Sequence, residues 1–78
     1  MSNDYNEKRY LDSLAKRIAE LRKAKGFTQE KLATEADIDR VALANIETGK
    51  RRPTVTTIYR ISMALGVRVE EVFKKLQT

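Results

Sequence analysis

Apolar residues recur at helical spacing along most of the chain. Leu11, Leu14, Ile18 and Leu21 lie three and four positions apart, one face of an amphipathic helix, with Ala15 and Arg22 beside the stripe. Gly26 is placed to end that helix in a left-handed cap, and Lys23 and Lys25 suit the negative end of its dipole. Phe27 then folds back toward the core. Thr28 is expected to cap a second helix, with Gln29 and Glu30 in its first turn, Leu32 and Ala33 inward, and Lys31 and Glu35 outward. A tight corner follows at Ala36-Asp37-Ile38. Asp39 is the natural N-cap of a third helix, because its short side-chain oxygen accepts from a backbone N–H two or three residues on. Gly49 closes that helix.

The loop Lys50-Arg51-Arg52-Pro53 is basic, and its proline prevents the helix continuing. Thr54 opens a fourth helix, with Val55, Ile58, Ile61 and Leu65 expected inward and Gly66 as its end signal. A fifth helix is expected from about Val69 to Leu76, with Val69, Val72, Phe73 and Leu76 on its apolar side. Glu70 and Glu71 in its first turn and Lys74 and Lys75 in its last complement the dipole, although Arg68 is a poor N-cap. Met1 to Lys8 shows no helical period and is expected to be a flexible segment, leaving 9–77 as the folded domain. No stretch alternates as a strand would. The expectation is an all-α, compact five-helix domain.

Length and composition narrow the chemistry. At 78 residues the chain is one domain near the lower limit for an independent core, burying only about 60% of the surface its unfolded form exposes. It has no cysteine and no histidine, so neither a disulfide nor a zinc site is expected, nor any other metal or cofactor. There is no glycine-rich phosphate loop and no close carboxylate pair in an apolar setting, so neither an enzyme nor a small-molecule substrate is expected. No run approaches the ~18 apolar residues of a membrane span. The first ten residues are polar and charged, which gives no secretion signal and an expected cytoplasmic location. Sixteen Lys and Arg against eleven Asp and Glu give a net charge of +5. That permits a polyanionic partner without establishing one, so the placement of the charges decides.

Placement favours nucleic acid. Two helices that meet at a sharp corner need a small residue beneath the second, and Ala33 supplies it; Leu32, Ala36, Leu43 and Ile46 fill the angle. On the other side of the third helix lie Arg40, Val41, Ala44 and Asn45. A helix end that enters a groove about 12 Å wide needs short side chains near its axis and a few long donors. Arg40 suits guanine, Asn45 suits adenine, and Val41 suits a thymine methyl group. Thr28 and Gln29 at the start of the second helix, with Lys50, Arg51 and Arg52, are the expected phosphate grips. The competing reading is a solvated polar face followed by an ordinary basic turn.

The segment TQEKLATEADIDRVALANIETGKRRPTVTTIYRISMALGV resembles the helix-turn-helix family of phage repressors and Cro proteins, also called the xenobiotic-response-element family. Its combined motifs carry the resemblance: TQ-x-x-LA, IE-x-G-x-R-x-P and ALGV, within a match from about Leu11 to Leu76. The resemblance implies a lambda-repressor-like fold whose third helix enters the major groove of a palindromic DNA operator, usually as a dimer. It places base reading on Arg40, Val41 and Asn45, and phosphate contact on Gln29 and on Lys50 to Arg52. It also implies a strut between Arg22 and Glu47. Two departures stand out. The corner position, often glycine in this family, is Asp37. The segment Ile38-Asp39-Arg40 is similar to that of restriction–modification controller proteins, which usually follow it with an aromatic residue and a serine; this chain has Ala42 and Ala44.

Pairing of two copies is expected through the fifth helix, whose Val67, Val69, Val72, Phe73 and Leu76 are more apolar surface than so short a helix need bury. The leading expectation is a transcriptional regulator, a repressor or autoregulator, acting as a homodimer. One alternative is an antitoxin or partner-sequestering module that uses the same surface to hold a protein. A non-specific or RNA-binding domain is disfavoured, since no aromatic platform for stacking bases is evident: Tyr59 and Phe73 sit in core patterns.

Overall fold

Side-chain caps set where most of the helices begin. The computed structural model describes residues 4–77, and side chains from Glu7 onward. Five helices follow in order: α1 Asp4–Lys25, α2 Gln29–Ala36, α3 Arg40–Glu47, α4 Val55–Leu65 and α5 Val69–Val72. The described residues contain no strand. The Thr28 hydroxyl accepts from the Lys31 N–H to start α2, and the Thr54 hydroxyl accepts from the Thr57 N–H to start α4. Gly66 ends α4 in the left-handed region at φ 71°, its N–H turned back onto the Met63 and Ser62 carbonyls. A residue with a Cβ would be strained there.

Each helix sends one side chain to the centre. Ile18, Leu32, Leu43, Ile61 and Val72 come from α1 to α5 in turn, and all have 0% exposure. Fully burying an aliphatic side chain of this size contributes about 1.5–3 kcal/mol. Leu14, Ala33, Ala36, Ile46, Ile58 and Leu65 close around them. The buried Ser62 hydroxyl donates to the Tyr59 carbonyl at 2.8 Å, and among the described residues no buried side-chain nitrogen or oxygen lacks a hydrogen-bond partner. α2 packs against α3 and α4, while α1 runs across α3, α4 and α5. Among the described residues no helix is long and apolar enough to cross a membrane.

The periodicity misplaces four features. Residues 1–3 of the segment expected to be flexible lie outside the described residues, but Asp4–Lys8 is helical, as the first turns of α1. Glu7, Lys8 and Arg9 there are exposed and carry no apolar stripe. Lys8 pairs with Asp12 at 2.9 Å, and Glu7 with Arg52 at 3.6 Å.

At the other end α5 stops at Val72 instead of running to Leu76. The Arg17 Nε donates at 2.9 Å to the Glu71 carbonyl, an oxygen that a longer helix would give to the Lys75 N–H. Lys75 instead turns left-handed at φ 65°, which folds Leu76 back toward the core. The Gln77 N–H then donates to the Ser13 hydroxyl at 3.0 Å.

Third, Val55 and Tyr59, expected in the core, are 84% and 54% exposed. The inward face of α4 is Ile58, Ile61, Ser62 and Leu65, so Val55, Tyr59 and Met63 form a separate row at four-residue steps. Last, the apolar side of α5 is largely spent within the chain. Val72 is fully buried, and Val67, Val69 and Leu76 pack partly against the same core, leaving Phe73 at 39% exposure. Val72 therefore has no surface to offer a partner.

Candidate nucleic-acid interface

The corner between α2 and α3 depends on one residue in an uncommon conformation. Asp37 sits at φ 56°, ψ 49°, with its N–H directed at the Ala33 and Thr34 carbonyls. Aspartate visits this left-handed region more readily than most residues, which lets it stand where glycine is usual. The Ile38 N–H donates to the Ala33 carbonyl at 2.9 Å, and the Arg60 guanidinium donates to the Asp37 carbonyl at 3.3 Å. Two residues on, the Asp39 carboxylate accepts from the N–H groups of Val41 and Ala42 at 3.0 and 3.2 Å. The start of α3 is thereby fixed in position and charge.

Its far end is fixed by a buried ionic knot. Arg22 donates through Nε and Nη2 to the two oxygens of Glu47 at 2.7 and 3.0 Å, a bidentate pair whose side chains are only 11% and 4% exposed. The third guanidinium nitrogen donates to the Phe27 carbonyl at 2.8 Å. The Gln29 amide also donates to Glu47, at 3.0 Å. Charge-assisted bidentate bonds are about twice as strong as neutral ones and fix direction as well as distance. One carboxylate thus ties α1, α2 and α3 together.

Against this frame, Arg40 and Val41 stand exposed on the outer face of α3, Val41 by 57%, and Asn45 is half-buried beside them. The loop after α3 doubles back. The N–H groups of Lys50 and Arg51 both donate to the Asn45 carbonyl, at 2.9 and 3.1 Å. Lys50, Arg51 and Arg52 are exposed; Arg52 is paired with Glu7, while Lys50 and Arg51 have no ion pair among the described residues. The arrangement offers one cationic, one aliphatic and one amide side chain on a helix tied at both ends, flanked by cations.

Besides Arg52, paired with Glu7, two of the residues assigned to phosphate have structural partners. The Thr28 hydroxyl is occupied as the cap of α2, and the Gln29 amide as the third strand of the knot. Only their position at the first turn of α2 suits an anion, through backbone N–H groups. The Gln29–Glu47 and Arg60–Asp37 contacts join residues 18 and 23 positions apart, so neither leaves a local sign in the sequence.

Two short helices set at a tight corner, the second with an outward face of polar and apolar side chains beside a basic loop, define a helix-turn-helix domain. Residues 18–72 match the helix-turn-helix family, and the chain belongs to it. It is 34% identical over 62 residues to the control protein C.MunI of a Mycoplasma species, a match spanning 78% of this chain and 84% of that one. It is also 42% identical over 50 residues to an uncharacterized HTH-type transcriptional regulator, y4dJ, of Sinorhizobium fredii, spanning 64% of this chain and 65% of the relative. Among solved structures, the restriction-modification controller protein C.AhdI of Aeromonas hydrophila superposes with a TM-score of 0.79 at 35% identity, covering 81% of this chain and 96% of that chain. The protein is a DNA-binding transcriptional regulator of the helix-turn-helix family.

Proposed function

We propose that the protein acts in the cytoplasm as a homodimeric repressor or autoregulator of the controller kind, with α3 of each copy in the major groove of a palindromic operator. The observation that carries this reading is the outward Arg40–Val41–Asn45 face, with Arg40 and Val41 exposed and Asn45 half-buried, held at both ends by the Asp39 cap and the Arg22–Glu47 knot. Arg40 pairs with the O6 and N7 edge of a guanine, Asn45 with an adenine, and Val41 lies against a thymine methyl group. Lys50, Arg51 and Arg52, with the backbone N–H groups at the first turn of α2, hold phosphates and set the register.

Pairing supplies the second half-site, one helical turn or ~34 Å away. Its apolar candidates are Phe73, from the surface assigned to pairing in the sequence, and the exposed Tyr59–Met63 side of α4. Phe73→Glu and Met63→Glu, each examined by sedimentation, distinguish them: the interface variant sediments as a monomer at micromolar concentration.

Selection of bound sequences from a random duplex library tests the DNA reading. The expected result is a two-fold symmetric site, with Arg40→Ala relaxing preference at one base pair per half-site at a cost of ~1–3 kcal/mol. Recovery of sequences with no preference defeats specific readout.

A further inference from the structure

The first half of α1 lies beside the basic loop, where the helix-turn-helix unit itself does not reach. Glu7 pairs with Arg52 at 3.6 Å. A Cβ at Gly49 would stand 3.1 Å from the Asp12 carboxylate. Lys8 and Lys16 line one open groove with Thr48 and Lys50. Lys8, Arg9 and Lys16 are all exposed, and Lys16 has no ion pair among the described residues.

We propose that Lys8 and Lys16 form a second phosphate-binding rail, continuous with Lys50 to Arg52, which extends the DNA footprint beyond the α2–α3 unit. Eight residues of helix separate the two lysines by ~12 Å along its axis, so they reach separate phosphates and not a single group. Carboxylates stand among these cations. Asp12 is matched by Lys8 and Glu7 by Arg52, both in exposed pairs, which have little energy holding them together. A phosphate displaces Asp12 from Lys8 at small cost, and Lys16 binds without displacing anything. Charge across the combined surface, from Lys8, Arg9, Lys16 and the loop against Glu7 and Asp12, is strongly positive.

The inference rests on the proposed DNA reading, and a salt titration separates the two. The probes are a duplex carrying the selected site and a scrambled duplex of equal length, with binding followed by fluorescence anisotropy. Each lost phosphate contact lowers the slope of log K against log salt by ~0.9. Lys16→Gln is expected to lower it by ~0.9 and Lys8→Gln/Lys16→Gln by ~1.8 on both duplexes, with the preference between them unchanged. Should the double variant fail to fold, Lys16→Gln alone decides, since that residue makes no ion pair among the described residues. Unchanged slopes in these variants, while Arg51→Gln loses ~0.9, would confine the grip to the loop and overturn the rail. A wild-type protein that binds neither duplex overturns both the rail and the reading beneath it.

Discussion

α3 and α5 are both short and both end in a turn, yet they are held by different means. α3 has eight residues, a carboxylate cap with two hydrogen bonds and a buried ionic knot at its last residue. α5 has four residues, no side-chain cap, and one fully buried anchor, Val72. Burial holds a helix against a core without fixing its rotation to a fraction of an ångström. Directional bonds at both ends fix rotation and tilt. The helix that carries the proposed base-reading face has the directional bonds, and the helix that completes the core does not.

The largest effect that would break this contrast is at the knot. Glu47→Ala leaves a buried, unpaired guanidinium and is expected to destabilise by about 3 kcal/mol. Urea unfolding measures it, and an unchanged midpoint would mean that the pair is not what fixes α3. Val72→Ala tests the other side. Removing two fully buried methyl groups and leaving the space empty is expected to cost about 2 kcal/mol. Both variants lose stability, but only the first is expected to lose sequence preference in DNA binding once corrected for the folded fraction.

Capping gives a smaller and opposite pair of changes. Asp39→Ala removes two bonds to the start of α3 and is expected to cost about 1 kcal/mol. Arg68→Asp supplies the cap that α5 lacks and is expected to raise the melting temperature by a few degrees. A fall in melting temperature would show that the exposed Arg68–Glu70 contact at 3.0 Å matters more than the cap.

The smallest effect is electrostatic. The backbone N–H of Glu70, followed by Arg68, holds the Glu70 carboxyl below its ordinary 4.5, and a hydrogen bond from Lys74 does the same for Glu71. A carboxyl depressed in the folded state stabilises it above the unfolded pKa, and that contribution is lost as pH falls through the folded value. Wild type should therefore lose slightly more melting temperature than Glu70→Gln/Glu71→Gln between pH 5 and pH 3. Glu70 is exposed and Glu71 partly so, so the difference is small and shrinks further in salt.

The contrast also sets what was legible in the sequence. The cap of α3, the corner at Asp37 and the Arg22–Glu47 pair were each expected. Caps and corners are written in adjacent residues, and the strut is carried by family resemblance. The extent of α5 was not legible, because it is ended by Arg17 from a helix 54 positions away and by a lysine in a left-handed turn that has no compositional sign. The start of α1 escaped for the converse reason: where side chains are exposed, as at Glu7, Lys8 and Arg9, there is no apolar period to detect. Val55 and Tyr59 fitted an inward pattern because spacings of three and four tolerate a rotation of α4 that only packing resolves. At the interface, Arg40, Val41 and the loop cations are exposed and Asn45 is half-buried. Gln29 was placed at the right end of α2, but its amide has a second occupation on Glu47 that local sequence does not record.

The knot of Arg22, Gln29 and Glu47 has a kinetic consequence. On the proposed DNA reading, three helices already joined at one buried carboxylate leave α3 little ordering to do when a duplex arrives. Association then proceeds as docking of a preformed surface, at a rate governed by long-range charge and little affected by base sequence. Discrimination between operator and non-operator DNA falls on residence time: the right site is the one the protein leaves slowly.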